Sequence, residues 1–221
     1  MMQSALYCVY GASGFGREVM PLARENLGNC GVPSDRLVFV DDAVQPGAVL
    51  NGHRVLTWEA FLAEPAKARF ATLAIGNSIT REKLAARLEA ETVLPWSIAG
   101  ANVVVMDDVE IGPGAVLSPF VTLTSNIRIG RQFHANIYSY VAHDCVIGDF
   151  VTFAPGVKCN GNVVIEDHAY IGTGAVIKQG KPGEPLVIGR GAVIGMGAVV
   201  TRSVPAGATV VGNPARIMNK D

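Results

Sequence analysis

A six-residue repeat in the C-terminal half of the chain decides the fold. From Ile111 to Val146 the sequence reads IGPGAV, LSPFVT, LTSNIR, IGRQFH, ANIYSY and VAHDCV. Each hexad begins with an apolar or small residue, and the frame continues unbroken to Ile177. A short period sustained over so many repeats is typical of a solenoid, in which each repeat packs only on its neighbours. The twelve leading residues are Ile111, Leu117, Leu123, Ile129, Ala135, Val141, Ile147, Phe153, Cys159, Ile165, Ile171 and Ile177.

Each hexad contains a short strand followed by a turn, so that three hexads, ~18 residues, form one triangular coil. Each coil pairs with the next coil at a strand spacing of about 4.8 Å. One residue per side points inward and builds a continuous core. The frame slips once, at Gly180–Pro185, and resumes at Ile188, Ile194 and Val200. We predict that Gly180–Pro185 leaves the solenoid as a loop near its C-terminal coils, and we favour a functional role for it.

The first half of the chain has a different pattern, in which apolar strands alternate with helical stretches. This βαβαβ order predicts a small Rossmann-like α/β domain over residues 1–98, followed by an all-β domain over 99–221. A last strand, Thr92–Ile98, is broken by Pro95 and is expected at an edge or as the lead into the next domain. His53 is expected in a loop from Gly47 to Arg54. The predicted elements are Leu6–Tyr10, Phe15–Asn26, Leu37–Val40, Thr57–Ala63, Phe70–Ile75 and Ser78–Glu91.

Composition excludes several classes of protein. The 221 residues are 49% hydrophobic, which allows a sizeable core, yet no apolar stretch has the ~18 residues of a membrane span. Eighteen Lys plus Arg balance nineteen Asp plus Glu without a basic run, so we expect no nucleic acid partner. The start, Met1–Ser4, lacks the basic residues of a signal peptide, and we expect a cytoplasmic protein.

Several motifs give the whole chain a resemblance to a known family. Together they resemble the bacterial sugar N- and O-acyltransferases of the left-handed β-helix class, typified by UDP-N-acetylbacillosamine acetyltransferase and the sialic acid O-acetyltransferases. The motifs are the Ile-Gly-x-x-Ala-x hexads, the closing segments Val204–Gly207 and Val211–Arg216, the glycine loop Tyr10–Gly16, Val40–Asp42, and Ala74–Asn77 followed by Arg81.

This resemblance implies a left-handed parallel β-helix, assembly as a homotrimer and acetyl-CoA as co-substrate, and we expect no metal. It also implies that the glycine loop holds the nucleotide of a nucleotide-activated amino sugar. Backbone N–H groups at a helix N-terminus suit such an anion, whereas the G-x-x-G-x-G spacing differs from the dinucleotide fingerprint. The implied substrate-binding residues are Ser13, Gly14, Phe15, Asp41, Asp42 and Gly76.

His143 is the candidate general base. It occupies the third position of its hexad, outside the core, and transfer of an acetyl group to an amine or hydroxyl requires a base that works near neutral pH. The family's catalytic histidine lies in a matching His-acidic-Cys-x-Ile-Gly string, which implies that Asp144 supports it. Because consecutive strand residues face opposite sides, Asp144 reaches His143 only if the backbone turns there. His134 and His168 are secondary candidates.

The resemblance further implies that acetyl-CoA lies along small residues of the later coils, and Lys181 and Arg190 are candidates for its phosphates. Two positions depart from the pattern, because some relatives carry histidines where this chain has Phe15 and Thr152. A threonine hydroxyl still donates a hydrogen bond. The implied acetyl-CoA residues are Thr152, Gly172, Thr173, Gly174, Gly195 and Met196.

We therefore expect an enzyme that transfers an acetyl group to the amine of a nucleotide-linked sugar. O-acetylation of a sialic-acid-like sugar is the close alternative, and a non-catalytic solenoid that is structural or binds a sugar nucleotide is another. A zinc enzyme of the β-helical carbonic anhydrase type requires three convergent histidines. His134 and His143 are half a coil apart, a poor spacing for shared ligation, and the scattered Cys8, Cys30, Cys145 and Cys159 predict free thiols.

Overall fold

The computed structural model describes residues 5–45 and 47–218, in which the chain divides into two compact units after Ala99. The predicted change from α/β to parallel β architecture is confirmed. No helix in the described ranges is long and apolar enough to cross a membrane.

The first unit is built on a six-stranded sheet with the order β3-β4-β2-β1-β5-β6, parallel except for the β3–β4 pair. Every residue of the central strands β1 and β2 is buried, which explains their uninterrupted apolar sequences. The elements are β1 Ala5–Tyr10, α1 Gly14–Asn29, a 3₁₀ turn Ser34–Arg36, β2 Leu37–Val40, β3 Val49–Leu50, β4 His53–Leu56, α2 Trp58–Ala63, β5 Ala68–Leu73, α3 Ser78–Ala90, β6 Leu94–Pro95 and β7 Ile98–Ala99.

One local prediction is wrong and another is confirmed only in part. The expected loop Gly47–Arg54 contains a β-hairpin instead, because Asn51-Gly52 adopts positive φ angles of 49° and 81° and turns the chain in two residues. His53 consequently begins β4, where it is 6% exposed. The expected strand Thr92–Ile98 starts only at Leu94, since Thr92 is left-handed (φ 53°), and it stops at Pro95 before β7 begins at Ile98. The predicted edge position is confirmed, because β6 is the last strand of the sheet.

The second unit is a parallel β-solenoid with three faces. On face 1 the order is β10-β13-β16-β19-β22-β24-β25, closed by the antiparallel β24–β25 pair. Its strands are β10 Val116–Leu117, β13 His134–Ala135, β16 Thr152–Phe153, β19 Tyr170–Ile171, β22 Val193–Ile194, β24 Thr209–Val211 and β25 Arg216–Ile217. Face 2 has β8 Val104–Val105, β11 Thr122–Leu123, β14 Tyr140–Val141, β17 Lys158–Cys159, β20 Val176–Ile177 and β23 Val199–Val200. Face 3 has β9 Val109–Ile111, β12 Ile127–Ile129, β15 Val146–Ile147, β18 Val163–Ile165 and β21 Leu186–Ile188.

The leading residues of the hexads form the solenoid core, as the period predicts. Phe153, Cys159 and Ile171 are fully buried, and the frame after the slip is equally regular, with Ile188 and Ile194 at 0% exposure. Ile111 is the exception at 36% exposure. It lies near the N-terminal end of the stack, where fewer coils cover it.

Each corner of the solenoid is a column of residues with positive φ. Such a conformation favours glycine, asparagine and aspartate, although aromatic residues also occupy it here. The corner from face 2 to face 3, which contains His143 and is called the His143 corner below, carries Asp108, Asn126, Asp144 and Asn162. The other two columns are Gly114, Gln132, Phe150, His168, Gly191 and Gly207, and Phe120, Tyr138, Gly156, Gly174 and Gly197.

Truncating a core residue should therefore destabilise the whole stack. We expect Phe153→Ala to lower the free energy of unfolding by about 3–5 kcal/mol, because the ring is fully buried and no neighbour fills its space. Tyr170→Ala, on the adjacent strand of the same face but 41% exposed, should cost less than half as much. Urea denaturation at fixed protein concentration measures both, and equal losses would contradict the proposed core.

Candidate active site

His143 and Asp144 form a hydrogen-bonded pair on the surface of the solenoid. The Nδ1 atom of His143 lies 2.7 Å from Oδ2 of Asp144, and their side chains are 56% and 47% exposed. The backbone turns as the sequence requires: Asp144 is left-handed with φ 57°, which brings its carboxylate back to the preceding side chain. The backbone turn that Asp144 needs in order to reach His143 is therefore present at this corner of the coil.

This contact determines which nitrogen of the imidazole acts as a base. An ionised carboxylate only accepts hydrogen bonds, so Nδ1 of His143 carries the proton and donates it to Asp144. In the neutral ring Nε2 then holds the lone pair. The pair therefore has the arrangement of a general base supported by a carboxylate.

The Asp144 carboxylate has a second donor from the coil below. Nδ2 of Asn126 lies 3.2 Å from Asp144 Oδ1, opposite the oxygen that His143 uses. The hydrogen bond with His143, followed by that from Asn126, lowers the pKa of the Asp144 carboxyl. Asp144 is thus ionised throughout the range in which an imidazole titrates.

The coil above the pair makes room for the imidazole ring at Gly161. A Cβ atom on Gly161 would lie 2.5 Å from Cε1 and 2.6 Å from Nε2 of His143. The backbone continues the stack, since the N–H of Asn162 donates to the His143 carbonyl over 3.0 Å. Only glycine leaves the ring in its observed position. Neither Asn126 nor Gly161 was singled out by the sequence, because each is one coil, ~18 residues, away from the motif.

The other three histidines are placed differently. His134 is fully buried. His168 stacks on Phe150 with ring centroids 5.3 Å apart, and His53 lies within 3.2 Å of the Leu37 carbonyl through Nδ1. None of them has the exposed ring of His143. In the described ranges, no group of three or more His, Cys, Asp or Glu residues converges to hold a metal.

The Gly180–Pro185 insertion leaves the solenoid at the His143 corner. Its first residue donates from Gly180 N–H to the Gly161 carbonyl over 3.0 Å, so it continues the column that contains His143. Lys181 and Glu184 exchange two backbone hydrogen bonds of 3.0 Å, which makes the loop a small hairpin. A cavity of about 290 Å³ lies beside it, with Lys178, Lys181 and Arg202 in its lining. The prediction of a loop is confirmed, and the structure adds the corner from which it leaves.

The glycine loop of the first unit uses its three glycines for different purposes. Gly11 has φ 109°, and a Cβ on Gly16 would overlap the Gly11 carbonyl group, so both are required by the packing of the loop. A Cβ on Gly14, by contrast, would meet no described atom within 4 Å. The Ser13 side chain makes no capping bond at the start of α1. The space over Gly14 and the first N–H groups of α1 suits a phosphate.

The predicted acidic pair is engaged by the protein itself. Asp41 accepts the Ala12 N–H through Oδ2 and the Ala43 N–H through Oδ1, each at 3.0 Å, and so fixes the glycine loop to the end of β2. Asp42 accepts the Trp58 N–H at 3.0 Å and the Tyr10 hydroxyl at 2.7 Å. Asp41 thus shapes the glycine loop, Asp42 joins the end of β1 to the start of α2, and direct contact with substrate stays a prediction for each.

Asp42 belongs to an ion-pair cluster that the sequence did not reveal. Arg87 Nη1 donates to Asp42 at 2.9 Å and to the Tyr10 hydroxyl at 2.8 Å, and its guanidinium lies over the Trp58 ring. Partial burial opposes ionisation of Asp42, but hydrogen bonds from Tyr10, Trp58 and Arg87 outweigh it and lower the pKa of the carboxyl. Burial, together with Asp42, raises the pKa of the Tyr10 hydroxyl. Asp42 therefore stays ionised and paired with Arg87, while the Tyr10 hydroxyl keeps its proton.

Arg81 explains the motif that joins it to Ala74–Asn77. Its side chain is fully buried and donates to the carbonyls of Ile75 at 2.7 Å and Gly76 at 3.3 Å. Burial lowers the pKa of Arg81 to about 9. The guanidinium thus fixes the turn that contains the predicted substrate residue Gly76, which is itself exposed.

The predicted acetyl-CoA residues differ in how exposed they are and in what the packing requires of them. Met196 is 81% exposed and Thr173 is exposed, whereas Thr152 is 5% exposed. Gly172 and Gly195 are needed for packing, since a Cβ would lie 2.6 Å from the Ile194 carbonyl oxygen and 2.7 Å from Val211 respectively. Gly174 is a left-handed corner residue. Of the two predicted cations, Arg190 pairs with Asp167, and Lys181 lies on the exposed hairpin.

Gly161→Ala tests the position of the His143 ring. The added methyl must displace the imidazole, and we expect kcat of acetyl transfer to fall about 100-fold, as a misplacement near 1 Å does, with little change in the melting temperature because the ring is exposed. Steady-state kinetics and differential scanning fluorimetry provide the two readouts. Wild-type kcat in this variant would show that the ring position is unimportant.

Gly14→Ala and Gly16→Ala form a matched pair at the glycine loop. Alanine at Gly16 overlaps the Gly11 carbonyl and should destabilise the protein by about 1–3 kcal/mol, whereas alanine at Gly14 meets no described atom and should leave stability unchanged. Gly14→Ala should nevertheless raise KM for the sugar nucleotide several-fold. An unchanged KM would exclude close approach of the ligand to Gly14.

Comparison with known proteins identifies the family. Residues 8–88 match the family model described as the PglD N-terminal domain. GDP-perosamine N-acetyltransferase of Escherichia coli O157:H7 is 56% identical over 217 residues, which cover 97% of each chain.

Solved structures agree over almost the whole length. WeeI from Acinetobacter baumannii AYE has 60% identity and a TM-score of 0.94, covering 97% of this chain and all of that one. The acetyltransferase domain of PglB from Neisseria gonorrhoeae FA1090 has 28% identity and a TM-score of 0.84 over 97% of this chain and 100% of that chain. The same domain is also known in complex with acetyl coenzyme A. The chain therefore belongs to the family of bacterial sugar N-acetyltransferases that join a PglD-type α/β domain to a left-handed β-helix.

Proposed function

We propose that this protein transfers the acetyl group of acetyl-CoA to the amine of a GDP-linked amino sugar, with GDP-perosamine as the first acceptor to test. The His143–Asp144 pair, with Nε2 of the imidazole available as a base, carries this proposal. The choice of acceptor is supported by the 56% identity with an enzyme named GDP-perosamine N-acetyltransferase.

The reaction makes one C–N bond and breaks one C–S bond. The sugar amine attacks the thioester carbonyl while Nε2 of His143 takes a proton from the nitrogen, and the resulting imidazolium is stabilised by Asp144 through Nδ1. The tetrahedral intermediate then collapses with release of the CoA thiolate. The thiolate finally receives the proton held by His143, which returns the base to its neutral form.

Binding of the acceptor is assigned to the first unit. The N–H groups at the start of α1, with Ser13 and Gly14, bind the phosphates, and Phe15 and the Asp41-Asp42 segment lie beside the rest of the nucleotide. Gly76, on the turn fixed by Arg81, completes the set of proposed substrate contacts.

Acetyl-CoA is assigned to the later coils of the solenoid, at Gly172–Gly174, Gly195 and Met196. The nearly buried Thr152 completes this set of proposed contacts. We further propose that the protein is a cytoplasmic homotrimer in which acetyl-CoA lies between neighbouring solenoids. The exposed side chain of Met196 and the uncovered corner glycine Gly174 support a contact surface there.

His143→Ala tests the catalytic step. We expect kcat with acetyl-CoA and GDP-perosamine to fall 10²- to 10⁴-fold, the usual contribution of a general base, while the melting temperature shift caused by CoA is retained. Thiol release measures the rate, and treatment of the product with mild alkali separates a stable N-acetyl amide from a labile O-acetyl ester. A wild-type kcat in this variant would refute the role of His143 as the general base.

Acceptor choice is tested in the same preparation. GDP should raise the melting temperature more than UDP, CDP or dTDP does, because a ligand that binds only the native state stabilises it. A larger shift with UDP would overturn the GDP assignment. A product acetylated on oxygen would favour the O-acetyltransferase alternative. Binding of sugar nucleotides without turnover of any of them would favour the non-catalytic alternative.

A further inference from the structure

The Asp144 carboxylate is held by donors from two different coils of the solenoid. His143 Nδ1 lies 2.7 Å from one oxygen, and Asn126 Nδ2 lies 3.2 Å from the other. Asn126 and Asp144 occupy the same corner in successive coils, with φ angles of 58° and 57°. The two oxygens are therefore assigned to two partners, and neither partner competes with the other.

A second donor matters because the pair is exposed. Both side chains reach solvent, and an exposed ion pair loses most of its energy to side-chain freedom and screening. A carboxylate bonded only to His143 rotates with it. With Asn126 on its other oxygen, the carboxylate is held by a side-chain amide of the preceding coil, and the orientation of the imidazole becomes fixed through it.

The amide of asparagine suits this position for two reasons. It tolerates the left-handed corner, and it offers an N–H donor without a charge. The next residue of the same column, Asp108, is paired with Arg128 through contacts of 3.0 and 3.1 Å. The negative charge of Asp108 is thus compensated locally, and Asn126 separates it from Asp144.

We propose that Asn126 is a positioning residue for the general base: it orients Asp144, which in turn orients His143 for deprotonation of the acceptor amine. The proposal rests on the proposed function for its kinetic consequence. The Asn126–Asp144 hydrogen bond is itself independent of that function and can be tested separately.

The kinetic test uses Asn126→Gly, since glycine keeps the left-handed turn and removes only the amide. We expect kcat to fall about three- to tenfold, as for the loss of one hydrogen bond, with KM for acetyl-CoA and the melting temperature little changed. The matched control is Asn162→Gly, the asparagine of the same column one coil above, which should keep wild-type kcat. Equal losses in the two variants would mean that the stiffness of the corner, and not the amide of Asn126, is responsible.

A double-mutant cycle shows whether Asn126 acts through Asp144. Asp144→Gly removes the acceptor of the amide, so adding Asn126→Gly to it should cause no further loss of kcat. A further loss equal to that seen in the wild-type background would overturn the proposed route.

Titration of the Asp144 carboxyl by ¹³C NMR provides a readout that needs no substrate. The hydrogen bonds from His143 and Asn126 lower the pKa of Asp144, so this pKa should rise in Asn126→Gly and rise further in Asn126→Asp, where a like charge replaces the donor. The ion pairs of Arg128 with Asp108 and Glu110, on the other side of Asn126, are unchanged in both variants. An unchanged Asp144 titration would refute the bond even if the enzyme is active, whereas an inactive wild type with the expected titration would refute only the proposed function.

Discussion

The structure depends on one constraint, the hydrogen bonding of each coil to the coil one turn further along the chain. Tyr140 N–H donates to Val157 at 2.9 Å, and Lys158 N–H repeats the bond to Ala175 at the same distance. Because this spacing is fixed, every side chain has its nearest external neighbours about 18 residues away in sequence. Positions that share a column must therefore be compatible in size, charge and backbone conformation.

The candidate active site illustrates how that constraint produces function. The left-handed conformation of Asp144 turns its carboxylate back onto His143. The preceding coil supplies the amide of Asn126, and the following coil has Gly161, whose lack of a side chain leaves room for the imidazole ring. An exposed pair that alone contributes little is thus held by a rigid, closely packed scaffold. The Gly180–Pro185 hairpin also leaves the solenoid at the His143 corner, so this insertion and the candidate base lie along the same edge.

The first unit uses its polar residues mainly to build a shape. Asp41 ties the glycine loop to the end of β2, Arg81 holds the turn at Gly76, and Arg87 joins Asp42 to Tyr10. These bonds leave the first turn of α1 open over Gly14, where a phosphate gains from the N–H groups and the helix dipole.

The sequence by itself determined the solenoid and its single interruption, because the period is encoded over short distances. It indicated the candidate base only through the resemblance of the local motif at His143 to that of a known family. It also predicted the βαβαβ unit, but not the Asn51-Gly52 hairpin that buries His53, where a two-residue turn overrode the expected loop. Only the tertiary structure decided that Asn126 and Gly161 belong to the site and that Asp42 pairs with Arg87. The contacts of Asn126 and Gly161 join residues one coil apart, which stacking brings together, whereas the Asp42–Arg87 pair joins residues 45 positions apart through the packing of the α/β unit.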